Sequence, residues 1–203
     1  MKRAMFAAMG VCVMAGSAMA QVTWTDWTEF GDATVWGDAG GTGVTFTGGF
    51  VFANTTPSTD YWASFPGTYT SPTVPNLPGN TDIIGLNGLG GTLTFSTPVT
   101  NPVMAIVSLG QPGVASQWHF DVPFVILSQG PGMFGSGPLS NPSGNTLQGN
   151  EGDGTIQFIG TFQQISWTVS NGEFWGGFTV GIPTPGAAVT FGLGGLALLR
   201  RRR

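Results

Sequence analysis

GTIQFIGTFQQISWTVS, residues 154–170, changes its hydrophobic phase halfway along. Ile156, Phe158 and Phe162 occupy even positions, whereas Ile165, Trp167 and Val169 occupy odd ones. Alternation with a period of two marks strands that bury one face and solvate the other. A strand cannot change parity without an extra residue, because a one-residue slip turns every side chain to the opposite face. The phase change therefore predicts strands on both sides and a bulge or tight bend at Gln163–Gln164.

The same alternation recurs outward from this stretch. In GTLTFSTPV, residues 91–99, Leu93 and Phe95 share a face against Thr92, Thr94 and Ser96. In QWHFDVPFVIL, residues 117–127, Trp118, Phe120, Val122, Phe124 and Ile126 do the same. Further strands are predicted over Val22 to Thr28, Gly43 to Thr47, Phe50 to Asn54, Asp82 to Leu86, Val103 to Leu109 and Phe174 to Gly181. Turn signals stand between them in GDAGGTG, PGN, NGLGG, SNPSGN and EGDG. No run from Gln21 to Gly181 keeps apolar residues at helical spacing without a Gly or Pro breaking it. The fold class read from this pattern is all-β: an antiparallel β-sandwich, jelly-roll-like. The Pro-, Ser- and Thr-rich stretch from Thr55 to Asn80 reads as a long surface excursion rather than core.

Charge divides the chain into three parts. The six basic residues are Lys2, Arg3 and Arg200 to Arg203, and all ten acids fall between them. The middle of the chain thus carries no Lys or Arg. It has no side chain suited to clamping phosphate, which excludes nucleic acid as a partner.

The first twenty residues, MKRAMFAAMGVCVMAGSAMA, have a basic start, a short apolar run and small residues at Ala18 and Ala20. That is the layout of a secretory signal peptide cut after Ala20, so signal peptidase and the secretion machinery are implied partners. Cys12, the one cysteine, falls within it, and the exported domain would hold no thiol or disulfide. The last 22 residues, IPTPGAAVTFGLGGLALLRRRR, run from a Pro-containing motif through a charge-free stretch to the arginine cluster. As a helix, Pro185 to Leu199 would span about 22 Å at ~1.5 Å per residue. That is short for a hydrocarbon core of about 30 Å but closed by snorkelling arginines. Arg200, Arg201, Arg202 and Arg203 would stop transfer and stay on the cytoplasmic side.

This order of parts resembles the PEP-CTERM sorting signals of exported bacterial proteins. Pro183 and Pro185 match the two prolines of the family's usual VPEP motif, and Ile182 matches its Val; Thr184 stands where the family has Glu. The resemblance implies recognition of Ile182, Pro183, Thr184 and Pro185 by an exosortase-like membrane protease, with transient inner-membrane anchoring. PVMAIVSLGQPG (102–113) and GTFQQISWTVSNGEFWGGFTVG (160–181) also look like the body shared by some exported proteins with such tails. The expected organisation is a signal peptide over 1–20, a β-sandwich over 21–181 and a sorting and anchor segment over 182–203.

Chemistry is thinly marked. His119 and Asp121 lie two apart and share a face, as a base and its orienter would. No G-x-S-x-G elbow or mature Cys accompanies them, and FGSG around Ser136 lacks the frame. Glu151 and Asp153 in NEGDGT could supply oxygens to calcium, the cofactor this charge balance would suit, although no D-x-D-x-D-G loop is present. Asp153–Gly154 is equally a hairpin turn pair. Among seven Trp, Trp62 and Trp175 are the best placed for an exposed sugar-stacking surface, beside Tyr61 and Gly176–Gly177. The leading expectation is an exported, non-enzymatic protein of the cell surface or extracellular matrix. The rivals are a secreted carbohydrate-binding module that meets extracellular polysaccharide, with calcium support, and a secreted hydrolase.

Overall fold

A computed structural model describes residues 21–79 and 82–184. The predicted signal peptide over 1–20, Pro185, the predicted apolar tail and Arg200 to Arg203 lie outside the described residues. The strands in chain order are β1 (Gln21–Trp24), β2 (Asp26–Gly31), β3 (Thr34–Ala39), β4 (Thr42–Asn54), β5 (Ile83–Thr100), β6 (Val103–Leu109) and β7 (Ser116–Phe120). They continue as β8 (Phe124–Gly130), β9 (Leu139–Ser140), β10 (Thr146–Gly149), β11 (Gly152–Phe158), β12 (Thr161–Ser170) and β13 (Gly177–Thr184). One helical turn, α1 (Pro66–Tyr69), interrupts the excursion between β4 and β5. The body is therefore almost wholly strand, and every pairing between strands is antiparallel.

The strands run β8-β11-β6-β13-β5-β12-β7-β10-β9, with β4 also along β5 and β1 on β13. Long β5 joins two halves. Its first residues pair with β13 at Gly85↔Gly177 and Ile84↔Phe178, and its later ones pair with β12 from Gly91↔Trp167 to Thr100↔Thr161. The sheet thereby curls into a nearly barrel-like, sandwich-like form. Inward side chains from both halves meet in one core of Trp27, Phe46, Phe95, Trp118, Phe120, Phe158, Trp167 and Phe178. Their rings pack mainly edge to face, as at Phe120–Phe158 (4.9 Å between centroids, 73°) and Phe46–Phe178 (5.3 Å, 68°). Edge-to-face packing suits the aromatic quadrupole.

The phase change in residues 154–170 has the predicted consequence, with one refinement. Pairing between β12 and β5 shifts between Phe162↔Val99 and Gln164↔Thr94. Gln163 and Gln164 are both exposed, and Phe162 and Ile165 both reach the core. The surplus residues lie on β5, where five steps oppose two on β12. The even-phase half is not continuous with the odd-phase half. The chain leaves β11 at Phe158 and crosses to the other half of the sheet at Ile159–Gly160.

Several predicted boundaries move. QWHFDVPFVIL is two strands, β7 and β8, separated at Asp121–Pro123 and belonging to opposite halves. NGLGG is not a turn between strands. It lies within β5, where a register shift against β4 absorbs the extra residues. Glycine is required at position 90 because a Cβ there would stand 2.0 Å from the Trp167 carbonyl oxygen. Phe174 and Trp175 precede β13 rather than open it.

The excursion is the main correction. Trp62, Tyr69 and Val74 are 0% exposed. They cover the outer face of the sheet over Ile83, Val103, Ala105 and Val107. All seven residues of β6 are buried, because Met104 and Ile106 enter the main core while Ala105 and Val107 meet the excursion. A strand covered on both faces reads as a nearly continuous apolar run, and VMAIVSL is one.

Candidate functional site

The site begins with a β-bulge. Opposite Asp153 on β11, strand β6 places two residues, Val107 and Ser108, between the pairs Ile106↔Gly154 and Leu109↔Gly152. Ser108 adopts a left-handed backbone (φ 56°), as does Glu151 at the entry to β11 (φ 58°). Such conformations are strained for side chains other than Gly and gather at functional positions. The bulge aims the Ser108 backbone N–H at Asp153 Oδ1 (3.1 Å) and leaves its hydroxyl to donate to Glu151 Oε2 (2.8 Å). Tyr69, from α1, donates its phenol to the same Asp153 Oδ1 (2.8 Å). Asp153 Oδ2 is buried without a hydrogen-bond partner.

A third carboxylate arrives from the loop between β12 and β13. Glu173 Oε1 accepts the Gly110 backbone N–H (2.5 Å). Burial is the largest influence on both deeper acids. It pushes the Asp153 carboxyl up to about 6, against the bonds from Tyr69 and Ser108 that lower it, with Glu151 adding a further rise. It pushes Glu173 up to about 7, against the Gly110 bond, again with Glu151 raising it. The Tyr69 phenol is held above its ordinary range by burial and by Asp153. Desolvation and like charge both favour the protonated acid, and the body contains no Lys or Arg to offset them.

Aromatic rings complete the cleft. It holds about 190 Å³ and is lined by Ser108, Gln111, Phe134, Glu151, Glu173, Phe174 and Trp175. Phe134 stands perpendicular to Trp175 (5.1 Å, 90°), and Tyr61 lies 6.0 Å from Trp175 and 6.2 Å from Phe134. Phe174 is 80% exposed and Phe134 48%.

The sequence-predicted residues divide accordingly. Trp175 is half-buried and lines the cleft. Trp62 is fully buried against Tyr69 behind it, so it offers no stacking surface. Glu151 and Asp153 do meet at the Ser108 bulge, but Asp153–Gly154 lies within β11 and forms no hairpin turn. Among the described residues, no three His, Cys, Asp or Glu side chains converge closely enough to hold a metal ion. His119 bonds the Thr146 hydroxyl through Nδ1 (3.0 Å) and the Ser170 hydroxyl through Nε2 (2.8 Å), while Asp121 accepts the Ser166 N–H (2.9 Å). The two do not bond each other; they brace neighbouring strands on the polar outer face. Ser136 is exposed. Ser108, Gln111, Phe134, Glu173 and Phe174 were not singled out from the sequence. The signal for Glu173 and Phe174 was NGEFWGG, residues 171–177, where an acid and two aromatics sit in a Gly-flanked loop.

Of the predicted sorting motif, Ile182, Pro183 and Thr184 lie in β13, paired with Thr23, Val22 and Gln21 of β1. The Val22 N–H and C=O are bonded to the Asn76 side chain (2.9 and 2.8 Å). Pro183 therefore sits opposite a residue whose ladder groups point away, which suits its missing N–H.

No family model matches this chain, and no curated protein or solved structure compared with it does.

Proposed function

We propose that this chain is an exported, non-enzymatic β-domain of the cell surface or extracellular matrix, sorted through its C-terminal signal. One observation carries the reading. The compact body spans Ala20–Pro185, and its first strand opens at Gln21, the residue that cleavage after Ala20 would leave at the new terminus. The described strands, from Gln21 to Thr184, fill the interval between the predicted signal peptide and the predicted apolar tail and take in Ile182, Pro183 and Thr184 of the I-P-T-P motif. Gln21 and Thr184, the first and last described residues, are paired neighbours. Signal peptidase, the secretion machinery and an exosortase-like membrane protease are the partners on this reading, with extracellular polysaccharide encountered after delivery.

The pairing order also supports the finer description of the fold as a jelly-roll sandwich. The two halves of β5, followed by β6, β7, β10, β11, β12 and β13, pair in the alternating order of two interlocked Greek keys. β8 and β9 extend the edges.

The test is replacement of Arg200 to Arg203 by Ser, followed by fractionation of cytosol, membrane and medium. The variant is expected to be released or mislocalised; sorting identical to the unaltered chain would contradict the proposal.

A further inference from the structure

We propose that the cleft beside the Ser108 bulge binds the protonated amine of a hexosamine, as carried by a deacetylated amino-sugar polysaccharide. The inference rests on the exported reading for where such a ligand is met, but the binding itself does not depend on sorting.

Three features select this chemistry. First, the acids are only half used. Glu151 commits Oε2 to Ser108 and Glu173 commits Oε1 to Gly110, and each leaves its second oxygen without a partner among the described residues. With no Lys or Arg in the body, the mutual repulsion of these groups has no internal counter-charge. An incoming cation would relieve it, whereas an anionic sugar or a phosphate would add to it.

Second, the lining suits an organic cation. No three ligating side chains converge on a metal position among the described residues. Beside the acids stand Phe134, Phe174 and Trp175 instead. Aromatic faces attract ammonium groups and stack on the C–H faces of sugar rings. Phe174 makes no ring contact with the Phe134–Trp175–Tyr61 group and is 80% exposed, so its face is free for a ligand.

Third, the size and remaining chemistry suit a sugar. Drug-sized ligands fill about 300–1,000 Å³; the cleft's 190 Å³ suits a single ring with its neighbours lying across the surface. Gln111 adds an amide that can donate to and accept from hydroxyls.

The experiment is calorimetric titration of the full chain, purified in mild detergent, with glucosamine hexamer and with N-acetylglucosamine hexamer. The amine form should bind at least about ten-fold more tightly, equivalent to ~1.4 kcal/mol. Glu173→Gln and Phe174→Ala should each weaken it by a factor of about five or more while still unfolding in a single cooperative transition. Asp32→Asn, which removes the same charge from the exposed β2–β3 turn, should leave binding unchanged. Equal binding of the acetylated hexamer, no binding of either, an unaltered affinity in Glu173→Gln, or an equal loss in Asp32→Asn would overturn the proposal. So would displacement of the hexamer by equimolar calcium, which would make the site one for an inorganic ion. None of these results would bear on the Arg200–Arg203 fractionation, so the two proposals fail separately.

Discussion

Asp153 and Glu173 are buried acids in a body without Lys or Arg, and that sets the sign of its pH response. Both have folded-state pKa values above their ordinary ones, at about 6 and about 7. The folded state therefore binds protons more tightly than the unfolded chain between roughly pH 4 and 7. Stability falls as pH rises through that window. Thermal melts should show a higher Tm at pH 5 than at pH 8, by several degrees, given roughly 2–4 °C per kcal/mol for a domain of this size. Glu173→Gln keeps an acceptor for the Gly110 N–H but removes the titration. It should raise Tm at pH 8 and lose that advantage at pH 5; a variant with the unaltered pH profile would refute the assignment. The sequence showed Glu151 and Asp153 as a pair but not why they meet. The left-handed Ser108 that joins them lies on another strand, 43 residues away from Glu151.

The strands themselves were the most legible level, because alternation is local information. The change of phase across Gln163–Gln164 is visible in the sequence and appears as a register shift. What lay outside local reading was partnership. Alternation cannot tell that β11 and β12 join different halves of the sheet, or that Trp62, Tyr69 and Val74 return to cover β6. The clue was the absence of alternation in VMAIVSL, a strand with no solvated face. Close approach between β5 and β12 gives a test at this scale. Gly90→Ala places a methyl against the Trp167 carbonyl and should destabilise by about 2 kcal/mol or more, as overpacking does. Gly67→Ala, where nothing lies within 4 Å of the added carbon, should be neutral or slightly stabilising. Equal denaturation midpoints for the two variants would show that the β5–β12 approach is not as close as described.

The whole molecule is a single-sign body with two basic ends. Its ten acids lie between Lys2–Arg3 and Arg200–Arg203 without an intervening cation, so self-repulsion opposes compactness. Salt should stabilise it: raising ionic strength from about 0.01 M to 0.15 M shortens the Debye length from ~30 Å to ~8 Å and should raise Tm at pH 8. A Tm that falls with added NaCl would contradict this. The same segregation of charge supports the reading that both termini are transport labels and the strands between them the cargo. That central claim is tested most directly by intact-mass analysis of the protein recovered outside the cytoplasm. The expected mass is that of a chain beginning at Gln21; a chain in that fraction still beginning at Met1 would contradict it.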